Sequence, residues 1–162
     1  MTPSRSLARA RGLALLVPLA LLGGAYLSQY GFGLVPCEMC WWQRYAHFAA
    51  LAFAVLAFLM RGQARALTML AGLAIAVSGA IGLFHAGVEY HWWEGLTRCS
   101  TNPVGTGANP LDAIMNSPFV RCDAAQWTLF HVSLAGWNFL LSGAAAIAIF
   151  VLLARSGRES RA

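Results

Sequence analysis

Four apolar runs, each about as long as a bilayer is thick, constrain this chain more than any other feature. They cover about residues 12–30, 41–60, 66–88 and 127–154. A helix needs about 20 mostly apolar residues to cross the hydrocarbon core, and no other stretch of the sequence qualifies. Only 10% of the residues are charged, where a soluble domain of this length carries about 25%. The expectation is an all-α membrane protein of one domain, 1–162: a four-helix transmembrane bundle. Pro18 and Gly23-Gly24 fall inside the first run, and membrane helices tolerate them better than soluble ones do. Arg5, Arg9 and Arg11 ahead of that run resemble the basic head of a signal peptide. The run is long for that role, no small-x-small cleavage site precedes a soluble domain, and three further runs follow.

Orientation follows from the basic residues. The chain has 11 of them, all arginine, and a net charge of +5. They sit in short clusters between apolar runs, whereas a nucleic-acid binder would line them along one face, so no nucleic-acid partner is expected. Eight arginines flank one side of the membrane: Arg5, Arg9, Arg11, Arg61, Arg65, Arg155, Arg158 and Arg161. Only three, Arg44, Arg98 and Arg121, fall on the other side. The positive-inside rule then puts both termini in the cytoplasm. Residues 31–40 become a short outer loop and 89–126 a longer one, and all four cysteines lie on the outer side or at its membrane edge. In a bacterium this is the inner membrane facing the periplasm, where disulfides can persist. Trp41, Trp42, Trp92, Trp93 and Trp127 sit near the outer ends of the runs, as interfacial anchors do.

The long loop is turn chemistry from Ser100 to Asn109. Asn109-Pro110 then reads as a helix start. Leu111, Ile114 and Met115 share one face of a short amphipathic helix, which would lie on the membrane surface and end at Ser117-Pro118. Cys99 next to the turn-rich stretch reads as mobile, and Cys122 as held nearer the bilayer. A permanent Cys99–Cys122 staple is the plain alternative.

Pro36-Cys37-Glu38-Met39-Cys40 is a C-x-x-C pair placed where the chain enters the second run. The exposed N–H groups and dipole at a helix start favour thiolate over thiol. Arg44 follows Cys40 by four residues, one helical turn on along the same face. An arginine this close to the bilayer is costly and usually functional. It can stabilise a thiolate, donate to a ligand carbonyl, or simply snorkel to the headgroups. C-x-x-C also serves zinc sites, which need four clustered ligands; the four cysteines and His91 could supply them, but no metal is expected. Met39, Met60, Met69 and Met115 form no group suited to copper. Two redox pairs on one face need an electron sink. No haem-attachment, flavin or nucleotide motif is present, so a lipid-soluble oxidant such as quinone is the simplest acceptor. His91, at the outer end of the third run, can assist proton transfer to reduced quinone or be an ordinary surface histidine. His47, His85 and His131 read as packing or hydrogen-bonding residues within the second, third and fourth runs.

These residues closely resemble the bacterial disulfide bond formation protein B (DsbB) family over nearly the whole chain. The resemblance rests on Pro36-Cys37-x-x-Cys40-x-x-Gln43-Arg44, on four spans with two outer loops, on Cys99 and Cys122, and on Cys122-Asp123-x-x-x-Trp127 leading into the last span. Vitamin-K-epoxide-reductase-like proteins share the chemistry but carry their C-x-x-C late in the chain; here it is early. The resemblance implies a quinone-reducing protein-disulfide oxidoreductase, acting on ubiquinone or menaquinone, that serves a periplasmic DsbA-like donor as a monomer. By motif match, Cys40 would engage quinone beside Arg44, Cys37 would exchange with the loop pair, the donor would attack Cys99, and Cys122 would pass electrons to Cys37. Two other functions compete with it. One is a membrane scaffold stapled by structural disulfides, which has no need of Arg44 beside a cysteine pair. The other is the same redox chemistry aimed at one dedicated client.

Overall fold

The computed structural model describes residues 4–96 and 121–159. Cys99 and the short amphipathic helix expected from Asn109 onward lie outside the described residues. Four long helices account for most of the rest: α1 (Arg5–Phe32), α2 (Glu38–Leu59), α3 (Ala64–Glu89) and α4 (Leu134–Glu159). A 3-10 turn, Arg61–Gln63, links α2 to α3.

Each helix end has a local cause. The Ser4 side chain accepts from the Leu7 amide at the start of α1, satisfying one of the orphan donors of a first turn. Gly33 ends α1 in the left-handed region, φ 70°, a conformation that glycine reaches without Cβ strain. Cys37 caps α2: its backbone is extended and its sulfur accepts from the Cys40 amide. Ser133 does the same for α4, with its hydroxyl accepting from the Gly136 amide.

α3 packs most extensively, against α2 on one side and α4 on the other, and α1 closes the ring between α4 and α2. One half of the bundle is filled by small residues from every helix, among them Ala10, Ala14, Ala50, Ala54, Ala71, Ala145 and Ala146, with Ile75, Ile149 and Leu153. Glycines bring α3 and α4 close. A Cβ at Gly82 would lie 2.9 Å from the Ala135 carbonyl oxygen, and one at Gly79 would lie 3.2 Å from Ser142 Cβ. Such small-residue seams let membrane helices gain dispersion contacts that lipid cannot offer.

Two features depart from the expectation. First, among the described residues three helical stretches are long and apolar enough to cross a membrane, Arg5–Phe32, Arg61–Glu89 and Leu134–Glu159. α2 does not qualify, because Glu38, Gln43, Arg44 and His47 crowd its first half. The chain is thus an all-α membrane protein with three unambiguous candidate spans and a fourth, more polar helix packed among them. Second, the fourth helix begins at Leu134, not near residue 127. Thr128–Leu129 pairs antiparallel with Val132–Ser133, and Phe130 and His131 turn between them at φ 52° and 62°. His131 is therefore a turn residue and not part of a span. Two positive φ values define the primed turn that matches strand twist. The hairpin is tied to the end of α3: the Tyr90 hydroxyl donates to the His131 carbonyl and accepts from the Ser133 amide.

Candidate functional site

At the end of the bundle opposite the alanine-rich core, Cys37, Met39, Val88 and Cys122 form a second buried cluster, with Cys40 and Phe84 against it. The Cys37 and Cys40 sulfurs are 2.9 Å apart in the dithiol form. Cys37 also shares a hydrogen bond with Cys122. Three of the four expected cysteines thus converge. Their contacts fix which sulfur keeps its proton: hydrogen bonds to Cys122 and Cys40, together with burial, push the Cys37 thiol above the ordinary range. Just after Cys122, Asp123 is held below the usual carboxylate range by hydrogen bonds from Arg121.

Arg44 is buried, 6% exposed, and is bound to α1. Its guanidinium donates to Gln29 Oε1 and to the Ala25 carbonyl, 3.2 Å away. It also lies over the Tyr26 ring at 4.8 Å and the Trp41 ring at 5.0 Å, geometry in which the ring quadrupole attracts a cation. Two N–H groups are thus committed, and a guanidinium has five. Arg44 is therefore anchored, not snorkelling, and has donors left over.

Behind the thiols runs a network of buried amides. The Ser78 backbone carbonyl can only accept, so the nitrogen of Asn138 must face it, at 3.1 Å. That nitrogen also donates to Gln43 Oε1 at 2.7 Å. Gln43 Nε2 then donates to the Met39 carbonyl and to His85 Nδ1, at 3.2 and 3.1 Å. His85 Nδ1 must be the bare nitrogen, so the neutral ring carries its proton on Nε2. That N–H is 3.6 Å from the Cys37 sulfur and 3.6 Å from Glu89 Oε1. Asn138 Oδ1 accepts from His47 Nε2 and from the Ser142 hydroxyl.

Cys37, Cys40 and His85 offer ligand atoms within 4.8 Å of one another. For His85 Nε2 to bind a metal, its proton would have to move to Nδ1 and oppose the Gln43 N–H. The amide network thus makes His85 a donor to sulfur and a poor metal ligand.

A cavity of about 290 Å³ opens beside the thiols. Ala20, Leu21, Leu22 and Leu141 give it apolar walls from α1 and α4, while Cys40, Gln43, Arg44, His47, His85 and Glu89 form its polar end. His91 does not line it: the residue is exposed in the turn after α3, at φ 60°, with Nδ1 3.2 Å from the Glu89 carbonyl oxygen. Trp93 does more than anchor at an interface. Its ring covers Gly87 so closely that a Cβ there would lie 2.1 Å from it, and its N–H donates to the Phe84 carbonyl.

The sequence pointed to Cys37, Cys40, Cys122 and Arg44, and missed Gln43, Ser78, Glu89 and Asn138 as one constellation. The one local signal was His85 followed four residues later by Glu89, both on one helix face at the end of an apolar run.

The family model for disulfide bond formation protein DsbB matches residues 8–152. Proteins described as disulfide bond formation protein B are similar throughout. One from Acidovorax sp. (strain JS42) is 34% identical over 142 residues, covering 83% of this chain and 80% of the relative. One from Verminephrobacter eiseniae (strain EF01-2) is 30% identical over 171 residues, covering 99% and 91%. One from Azoarcus sp. (strain BH72) is 31% identical over 145 residues, covering 83% and 85%. No solved structure matches. With its gathered thiols and a match over most of its length, this chain belongs to the DsbB family of disulfide-forming membrane oxidoreductases.

Proposed function

We propose that the protein reoxidises a periplasmic DsbA-like thiol oxidase and delivers the electrons to membrane quinone, supporting disulfide formation in secreted proteins. The observation that carries this is the convergence of Cys37, Cys40 and Cys122 at the polar end of an apolar cavity bordered by Arg44. In this reading the donor's thiolate attacks Cys99 of the Cys99–Cys122 disulfide. Cys122, released, attacks Cys37, and Cys40 leaves as a thiolate. Each transfer is an in-line thiolate attack on a disulfide sulfur. The hydrogen bond between Cys37 and Cys122 supports that handover, because those two sulfurs are already in contact. A structural staple would need neither the cavity nor the buried arginine.

The residues suit a quinone. A volume of about 290 Å³ is near the lower end for small-molecule sites, about 300 Å³, and would admit a quinone ring. Arg44, Gln43 and His47 would hold the carbonyl oxygens of either ubiquinone or menaquinone, and Cys40 would face the ring. When bound, quinone supplies the sink for two electrons and two protons. The protein's own residues do the rest. Arg44 stabilises negative charge on Cys40. The wall of α1 and α4 excludes water. His91 exchanges protons with the outer water from its surface turn.

The same reading makes α2 the second of four spans, with both termini cytoplasmic, the cysteines periplasmic and the protein monomeric in the inner membrane. Arginine asymmetry supports it. The test is reconstitution in vesicles with either quinone and a reduced DsbA-like protein, following quinone absorbance. Wild-type protein should couple donor oxidation to quinone reduction, and Cys40→Ser should abolish it. Donor oxidation that ignores quinone, or that survives Cys40→Ser, overturns the assignment.

A further inference from the structure

Glu89 stands where the thiol cluster meets the cavity, and the relay described above gives it nothing to do. It is the last residue of α3, and its side chain is only 8% exposed. The Ser133 hydroxyl bonds it, Oε1 faces the His85 N–H at 3.6 Å, and Oε2 is buried without a hydrogen-bond partner. The carboxyl interacts electrostatically with Cys122 and Cys40 and lines the cavity. Burying an acceptor with nothing to accept is expensive, and such groups cluster where protons move.

We propose that Glu89 is the base that takes the proton from the Cys122 thiol as that sulfur attacks the Cys37–Cys40 disulfide. The assignment rests on the relay proposed above. The Cys122 S–H bond breaks and its proton passes to the Glu89 carboxylate. The sulfur's electron pair forms the Cys122–Cys37 bond, the Cys37–Cys40 bond breaks, and its electron pair leaves on Cys40 as a thiolate. No outside oxidant enters this exchange.

Of the acceptors near the thiols among the described residues, His47 Nδ1 is also buried without a partner, but its ring is held on the cavity wall by Asn138 and makes no contact with Cys122. Facing Glu89 are Cys40 from α2, His85 from α3, and Cys122 and Ser133 from the segment before α4. Arg121 lines the same cavity but pairs with Asp123, and Arg44 cannot accept a proton. His85 is already protonated on Nε2, and its Nδ1 is occupied by the Gln43 N–H. The His85 N–H is instead shared between the Cys37 sulfur, 3.6 Å away, and the Cys122 backbone carbonyl, so the ring donates there and does not accept. Glu89 is the group with an open acceptor that also interacts with Cys122, and its position on the cavity wall lets it release the proton toward the acceptor site.

The experiment compares wild type, Glu89→Gln and Glu89→Asp in quinone-containing vesicles with a purified, reduced DsbA-like protein. Samples are acid-quenched, and the Cys37–Cys122 mixed disulfide is quantified by mass spectrometry between pH 6 and 9. General-base catalysis is worth about 10²–10⁴-fold. Glu89→Gln should therefore slow mixed-disulfide formation at least about 100-fold at low pH, with the rate climbing about tenfold per pH unit as hydroxide takes over. Glu89→Asp should keep the wild-type pH profile at a reduced rate. A Glu89→Gln profile parallel to wild type, at whatever rate, overturns the proposal and leaves Glu89 a structural residue. Difference infrared spectroscopy on the unmutated protein gives a second measurement that needs no variant. A protonated-carboxyl band should appear as the exchange proceeds, and its absence counts against the assignment. Wild-type protein without quinone-linked thiol oxidation would sink the relay itself, whereas normal turnover with an unaltered Glu89→Gln profile sinks only this step.

Discussion

Replacing Asn138 by leucine roughly keeps the side chain's size and removes its only donor. In the folded protein the Asn138 nitrogen faces Gln43 Oε1 at 2.7 Å and the Ser78 carbonyl at 3.1 Å. The Ser78 hydroxyl, also at 3.1 Å, can turn, because it donates elsewhere, to the Gln43 carbonyl. Two acceptors are therefore left facing methyl groups, and the His47 N–H and the Ser142 hydroxyl lose the oxygen they bond. Each buried polar group stranded this way costs about 1–3 kcal/mol. Hydrogen bonds between membrane helices have measured nearer about 0.6 kcal/mol on average, since the unfolded chain in lipid finds partners too. The expected loss for Asn138→Leu is about 2–4 kcal/mol, read as unfolding of purified protein in mixed micelles. In a Gln43→Met background one of the two stranded acceptors is gone, so the penalty should shrink by about 1–2 kcal/mol. Equal penalties in both backgrounds would mean that Asn138 and Gln43 are not coupled. The chain of donors that fixes the His85 proton would then be wrong.

Arg44→Ala should lower kcat/KM for quinone about tenfold or more while leaving donor binding nearly intact, because removing one charge-assisted hydrogen bond is worth about 1.5–3 kcal/mol; equal losses in both would count against its role. Gly82→Ala should destabilise the bundle by about 1–3 kcal/mol, since its Cβ would press on the Ala135 carbonyl at 2.9 Å. Gly143→Ala, where nothing lies within 4 Å, is the control and should leave thermal unfolding unchanged or raise stability by up to about 1 kcal/mol, because alanine suits a helix interior better than glycine. Gly33→Ala should cost about 1 kcal/mol, because φ is 70° there and an added Cβ strains the left-handed cap. In the reduced protein, Cys37 keeps its proton at a pH where an ordinary thiol ionises. Its alkylation rate, followed by peptide mapping, should therefore rise through pH 9 without levelling, and a plateau at or below pH 9 would contradict the raised value.

What the sequence could reveal of the site depended on spacing. Cys37, Cys40 and Arg44 are legible because three- and four-residue intervals at a helix start put them on one face before any packing is known. Gln43, Ser78, His85 and Asn138 are not, because 35 to 95 residues separate the bonded partners across helices. Ser78, His85 and Asn138 are each a single polar residue in an apolar stretch, Gln43 stands in the motif beside Arg44 with nothing to show its partners, and only the approach of three helices joins them. Most of the helical frame was legible from apolar length alone. The hairpin before α4 was hidden because Phe130 and His131 stand where a primed turn normally shows glycine or asparagine. Thr128, Leu129 and Val132 also continue an apolar run without a break.

The polar first half of α2 also bears on how the protein is made. An arginine near a helix centre opposes insertion by about 2.5–3.5 kcal/mol, and Gln43 and His47 add to that. α2 is therefore the helix least able to enter lipid alone, yet it carries the thiol pair. Its polar groups are matched by Gln29 and Ala25 on α1, by Ser78 and His85 on α3 and by Asn138 on α4. Neighbours on both sides in sequence must be at hand before it settles. On the four-span reading proposed above, synthesis of the chain should carry a built-in order, with the reactive helix committed to the bilayer last and a bundle missing any one wall offering it no stable place.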